Sequence, residues 1–281
     1  MPEGVLRERL GRDHFFQLGV FFVAVVVLAA VFAPWLAPHN PITGDLRNAY
    51  LIRPGSRFLL GTDTQGRDVL SRVLYGARLS LSVGVISQSV SVTLGVLLGL
   101  LAGYYGRWVD ALVMRLADIT LAFPTLLLLI AVAAAVKPSL PLVFVVIGVV
   151  GWAGMARLVR SQVLILRNSE FVVAARALGA RDRRVLLRHL LPNVRTQVII
   201  AATLGIAGAI MAEAALSFVG LGAQPPTPSW GAMVADGRDL LRVAPWISFA
   251  PGLAIGVAVL GFNLMGDGLR EAYDPKLRSE R

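Results

Sequence analysis

The chain has 281 residues, 56% of them hydrophobic and only 16% charged, against about 25% charged in ordinary soluble domains. So much apolar surface cannot be hidden in a water-soluble globule of this size, which excludes a soluble enzyme or binding domain and makes lipid the main solvent. The formal charge of +10, almost all of it from Arg, fits the Lys/Arg bias that orients a membrane protein better than a nucleic-acid groove, because no basic run is interleaved with aromatics. Without cysteine there are no disulfides, thiolate metal sites or cysteine nucleophiles.

Arg7, Arg9 and Arg12 precede an apolar run that begins at Phe15. The run is longer than the roughly 7–15 residues of a signal-peptide core, so it reads as an uncleaved first span. Six stretches in all have the roughly 20 apolar residues that a hydrocarbon core requires: 15–36, 79–103, 112–136, 140–156, 196–220 and 246–265. Pro138 and Pro141 mark the start of the fourth. Between the first and second lies a long polar segment, 38–78. Its end places Leu70, Val73, Leu74 and Ala77 at helical spacing, which predicts a helix lying along the membrane surface. The last loop, 221–245, carries Pro225, Pro226 and Pro228 and should be irregular and stiff. Gly95, Gly99 and Gly103 form two overlapping GxxxG steps, and Gly252 with Gly256 forms another. Such spacing lets helix backbones approach closely, either within one bundle or at a seam between subunits.

With the N-terminus in the cytoplasm, 17 Lys/Arg fall on the cytoplasmic side and 9 on the outer side, chiefly because the 157–195 loop holds nine Arg. That asymmetry predicts an all-α membrane protein of six transmembrane helices with both termini cytoplasmic. The organisation is then residues 1–78, comprising the tail, first span and outer segment, followed by a five-helix core, 79–281, which carries the cytoplasmic loop.

That loop is the informative part. Phe171, Ala174, Ala175 and Leu178 recur at helical spacing and form a narrow apolar stripe. Gly179 is a helix stop, Asp182 is placed to cap the next turn, and Pro192 to end it before the fifth span. A small Ala-rich face suits docking into a partner's groove, and it equally suits a helix resting on the membrane.

The segment resembles the EAA loop of ABC-importer permeases, with Val173-Ala174-Ala175, Gly179 and Leu191-Pro192 in register. Val173 stands where the motif has Glu, and His189 where it has Ile. Three further segments resemble the C-type permease subunit of dipeptide and oligopeptide importers. They are Gly61-Thr-Asp-Thr-Gln-Gly-Arg-Asp-Val-Leu-Ser-Arg72, residues 214–231 and residues 266–278. This resemblance covers nearly the whole chain. It implies the type I ABC importer permease fold in the cytoplasmic (inner) membrane of a bacterium or archaeon. It also implies pairing with a second, distinct permease subunit, two ATP-binding subunits docked on the cytoplasmic loops, and an extracellular substrate-binding protein. By the same resemblance ATPase coupling falls to Glu170, Phe171, Ala174, Ala175, Arg176, Leu178 and Gly179, and ATP and Mg are bound by the partner ATPases, this chain holding no cofactor. The implied cargo is di- or oligopeptides, with nickel complexes, glutathione or another small solute as the alternative.

Gly61 to Asp68 nearly matches a phosphate-binding P-loop, but Arg67 and Asp68 stand where Lys and Ser/Thr are required, and Asp68 would repel phosphate. Glu213, inside the fifth span, is a candidate for the translocation path or for an interhelical hydrogen bond. Asn263, inside the sixth span, is a candidate for the translocation path or for a packing hydrogen bond. Asp118 is placed to pair with Arg115 one turn earlier. His14, His39 and His189 lie in separate regions and suggest neither a metal site nor an acid–base dyad. A self-contained secondary transporter would carry more ionisable residues in its spans.

Overall fold

A computed structural model describes residue 11 and residues 13–135 and 139–273. Val136, Lys137 and Pro138, the N-terminal Arg7, Arg9 and Arg12, and the basic residues after 273 lie outside the described residues. Five helices are long and apolar enough to cross a membrane, or six if a sharply bent pair counts as one span.

Helix α1 (His14–Leu36) is capped by the Asp13 carboxylate, which accepts from the backbone N–H groups of Phe15 and Phe16. It is apolar all round and runs antiparallel to α9 (Trp246–Tyr273). The two backbones approach closely because a Cβ at Gly19 would lie 2.6 Å from the Met265 nitrogen, and one at Gly268 only 2.6 Å from the Phe16 Cβ.

Helix α2 (Val69–Tyr105) is the hub. Its 37 residues extend about 55 Å, nearly twice a hydrocarbon core. The expected surface helix is therefore the first three turns of α2, and the division at 78/79 falls inside one helix. Nothing between residues 67 and 80 stops a helix, and the face carrying Ser71, Arg72, Gly76 and Ala77 is buried against protein instead of lying on lipid.

The expected third span is broken into α3 (Arg107–Ala122) and α4 (Thr125–Ala134), bent by 90°. Pro124 is the cause. The residue before a proline is pushed out of the α region, and Phe123 is extended at φ −94°, ψ 140°. Helix α5 (Leu140–Leu166) runs ten residues beyond its expected end, so Arg157 and Arg160 belong to a helix and not to a loop. There Arg157 pairs with Asp118, which corrects the expected Asp118–Arg115 contact, and Arg160 grips Asp110. Both links tie α3 to α5.

Helix α6 (Glu170–Ala177) is followed by α7, which runs from Asp182 to Phe218 as one 37-residue element. Pro192 does not end it. The turn Val185–Leu190 is a π-helix, and the Leu191 N–H reaches back to the Leu186 carbonyl. This wide turn accommodates a proline that removes one donor from the ladder. Arg181, not Asp182, occupies the cap position. The final loop is irregular around its prolines but contains a helix, α8 (Trp230–Gly237), capped by Ser229.

The GxxxG steps of α2 are the seam with α5. A Cβ at Gly99 would sit 2.6 Å from the Ala156 carbonyl oxygen, and Cβ atoms at Gly95 and Gly103 would collide with Met155 and Val163. Packing within one bundle is what these glycines serve. Gly252 and Gly256 differ, because a Cβ at either would meet nothing within 4 Å among the described residues. Both the start of α1 and the end of α9 lie at the same end of the bundle as α6, because α9 begins at the opposite end, where the Trp246 indole bonds the Thr62 carbonyl at 3.1 Å.

Candidate coupling and translocation site

Helix α6 stands at the end of the bundle and buries one side chain. Val172 is fully buried in a cluster with Leu100, Tyr104, Val163, Val185 and Leu190. The stripe read from the sequence points the other way. Leu178 is 89% exposed and Phe171 42%, Ala174 and Arg176 are exposed, and Ala175 is half-buried. Glu170 opens the helix, where a carboxylate is favoured by the N-terminal dipole. Gly179 adopts φ +81°, a left-handed conformation that side-chain-bearing residues rarely take. It donates to the Arg176 carbonyl at 2.9 Å while Ala180 donates to Ala175 at 3.0 Å, closing the helix. Arg181, Arg183, Arg184 and Arg188 surround this end and are exposed.

Two side chains fasten α6 to the hub. The Arg176 guanidinium lies 4.8 Å from the Tyr104 ring centroid. The Tyr104 hydroxyl donates to Asp182 Oδ1 at 2.6 Å. Neither Tyr104 nor Val172 was singled out by the sequence. Tyr104 is 78 residues from Asp182, and Val172 is one apolar residue among three.

Between α2, α4, α5 and α7 lies a cavity of about 440 Å³. Its polar groups are Gln88 and Ser91 from α2 and Thr125, the first residue after the Pro124 break. Helix backbone is bare at Gly154 and Gly208, while Gly151 and Gly205 are faced by Ser91 and Gln88, and none of the described residues that line the cavity is ionisable. The Gln88 amide lies across Gly205, where a Cβ would meet its oxygen at 2.3 Å.

Glu213 does not line this cavity. It is 1% exposed on the α2–α7–α8 side, where Ser217 Oγ donates to it at 2.6 Å and Ser80 Oγ at 3.3 Å. Ser229 Oγ continues the network to Ser217 at 3.3 Å. Asn263 is half-buried on α9, also outside the cavity lining.

The Gly61–Arg72 segment forms a buried polar knot at the opposite end from α6. Asp63 accepts from the backbone N–H groups of Gln65 and Arg67 at 2.8 and 3.0 Å and from Arg67 Nε at 2.6 Å. Arg72 Nε lies 3.5 Å from the same carboxylate, and Arg67 reaches Asp236 of α8 at 3.9 Å. Burial pushes the Asp236 carboxyl up, against the pull of Arg72 and Arg67. The P-loop-like spacing is thus filled by its own side chains: Asp63 occupies the backbone donors, and the space beside Gly61 is taken by the Ile52 carbonyl and Trp246.

A multi-pass helical bundle with an uncharged internal cavity and a short helix presented at one end describes a membrane permease subunit. Residues 95–279 match the family described as binding-protein-dependent transport system inner membrane component, and residues 5–54 match the N-terminal TM domain of oligopeptide transport permease C. The chain is 44% identical over 272 residues to the dipeptide transport system permease protein DppC of Alkalihalophilus pseudofirmus, covering 97% of this chain and 89% of the relative. Similarity to the di/tripeptide transport system permease protein DppC of Pseudomonas aeruginosa is 45% over 267 residues, 93% and 88% of the two chains. The glutathione transport system permease protein GsiD of Escherichia coli is 42% identical over 275 residues, 96% and 89% of the two. The chain belongs to the binding-protein-dependent inner-membrane permease family, within its dipeptide/oligopeptide ABC importer branch.

Proposed function

We propose that this chain is one of two distinct permease subunits of an ATP-driven importer of small peptides, with ATP hydrolysed by two separate subunits docked on α6. The observation that carries the reading is the exposed face of α6. A short helix spending Val172 on its own bundle while leaving Phe171, Ala174 and Leu178 bare is built to seat in another protein's groove. The exposed Arg residues beside it support a cytoplasmic location under the Lys/Arg rule, and with it the reading of cytoplasmic termini and of a Gly61–Arg72 knot that faces the substrate-binding protein outside.

The cavity is this chain's wall of the translocation path. A wall without charge suits cargo whose side chains vary in charge from one molecule to the next, and bare backbone with the Gln88 amide matches the peptide bonds that all such cargo shares. The GsiD similarity favours glutathione, itself a small peptide, as the second reading.

The test is purification of the tagged chain from its native membrane in mild detergent, with Ala175→Cys cross-linking to whatever is retained. The expected result is two ATPases and a second permease, with an Ala175 cross-link that changes on nucleotide binding. Recovery of the chain alone, under conditions that preserve other membrane complexes, overturns the reading.

A further inference from the structure

We propose that Tyr104 is the positioning residue that couples the docking helix to the cavity wall, through its hydroxyl contact with Asp182. The inference rests on the reading of α6 as the ATPase dock.

Tyr104 is the penultimate residue of α2 and is 8% exposed. From there its phenol makes two contacts at the C-terminal end of α6. The ring faces Arg176 within α6, and the hydroxyl holds Asp182 just beyond it. Val172 packs in the same cluster. Movement of α6 must therefore either carry Tyr104 with it or break a hydrogen bond to a charged group.

What Tyr104 is attached to decides which. It follows Gly103, the last glycine of the seam where α2 and α5 touch backbone to backbone. Such a seam has no slack, so α2 and α5 move as one body. Sixteen residues back along α2, about 24 Å away, Gln88 lines the cavity. The other connection from α6 is softer. It enters α7 through the π-helical turn Val185–Leu190 and Pro192, features that mark a place where a helix can bend. The cavity lies between the α2–α5 pair and α7, with Thr125 and Leu129 of α4 completing its lining. The Tyr104–Asp182 contact makes displacement of α6 pull the α2–α5 wall. Without it, the same displacement is absorbed by the bend in α7.

The test uses the complete importer, with partner permease, ATPases and binding protein, in proteoliposomes, with ATP hydrolysis and uptake of labelled trialanine followed together. Tyr104→Phe keeps the ring for Arg176 and the core and deletes only the hydroxyl. The expected result is near-normal hydrolysis with about five- to tenfold less peptide imported per ATP. Asp182→Leu should do the same, and the double variant should lose no more than either single one, because both remove one contact. Tyr105→Phe, next along the chain and half-exposed, should leave the ratio unchanged. An unchanged ratio in Tyr104→Phe, additive losses in the double variant, or hydrolysis and uptake falling together would each overturn the proposal. Failure of the Ala175→Cys cross-link in a chain that keeps Tyr104 and Asp182 would instead overturn the docking role of α6 on which it rests.

Discussion

Trp230 on α8 donates its indole N–H to the carbonyl of Val73 on α2 at 2.9 Å, pinning the last loop to the hub helix. The side chain is 1% exposed, and the space for it exists because residue 76 is glycine, where a Cβ would stand 2.9 Å from the indole. Gly76→Val should expel the indole and free α8. Trp230→Ala should cost about 3–5 kcal/mol. Tryptophan fluorescence and thermal unfolding in detergent would check both, and an unshifted melting temperature for Gly76→Val would contradict the packing described.

The glycines of α2 and α9 predict opposite behaviour from the same substitution. Gly99→Leu drives a side chain into the Ala156 backbone and should abolish a monodisperse elution profile. At Gly252 a Cβ meets nothing within 4 Å among the described residues, so this chain's own fold should survive Gly252→Leu. Size-exclusion profiles of the two variants decide the matter.

On α6 a charge should act differently one residue from the next. Val172→Asp buries an unpaired carboxylate and should unfold the helix from the bundle. Leu178→Asp changes a side chain that is 89% exposed, so folding should be unaffected while ATPase subunits are lost from the purified complex. Gly179→Pro, which cannot adopt the φ of +81° found there, should abolish transport with the protein still inserted. Co-purification ratios and uptake assays read these outcomes.

Glu213 is surrounded by the hydroxyls of Ser217 and Ser80 and lies outside the cavity lining. Glu213→Gln retains an acceptor for them and should keep both fold and transport. Glu213→Leu strands the buried hydroxyls and should destabilise the protein by about 1–3 kcal/mol. A transport defect in the Gln variant with unchanged stability would place this residue in the path after all.

The sequence by itself determined what depends on local pattern. Apolar runs located the spans, because a lipid-crossing helix must satisfy its backbone internally and present apolar side chains over its length. Glycine steps announced close backbone contact along α2, and the loop with Val173-Ala174-Ala175 and Gly179 announced a short helix that stops at the glycine. Breaks were harder to read. Pro124 bends the chain by 90°, yet Pro192 is absorbed in a continuous helix, because the π-turn before it takes up the missing donor. Only the tertiary structure decided the choice of partner. Asp118 pairs with Arg157, 39 residues away, instead of with Arg115, and Tyr104 meets Asp182 across 78 residues. Val172, and not its apolar neighbours, is the anchor of α6, while Glu213 is turned toward serines and away from the cavity. A side chain's neighbours across the bundle depend on how each helix is rotated and how far it slides along the next, and those two quantities are set by packing among helices that the local sequence does not encode.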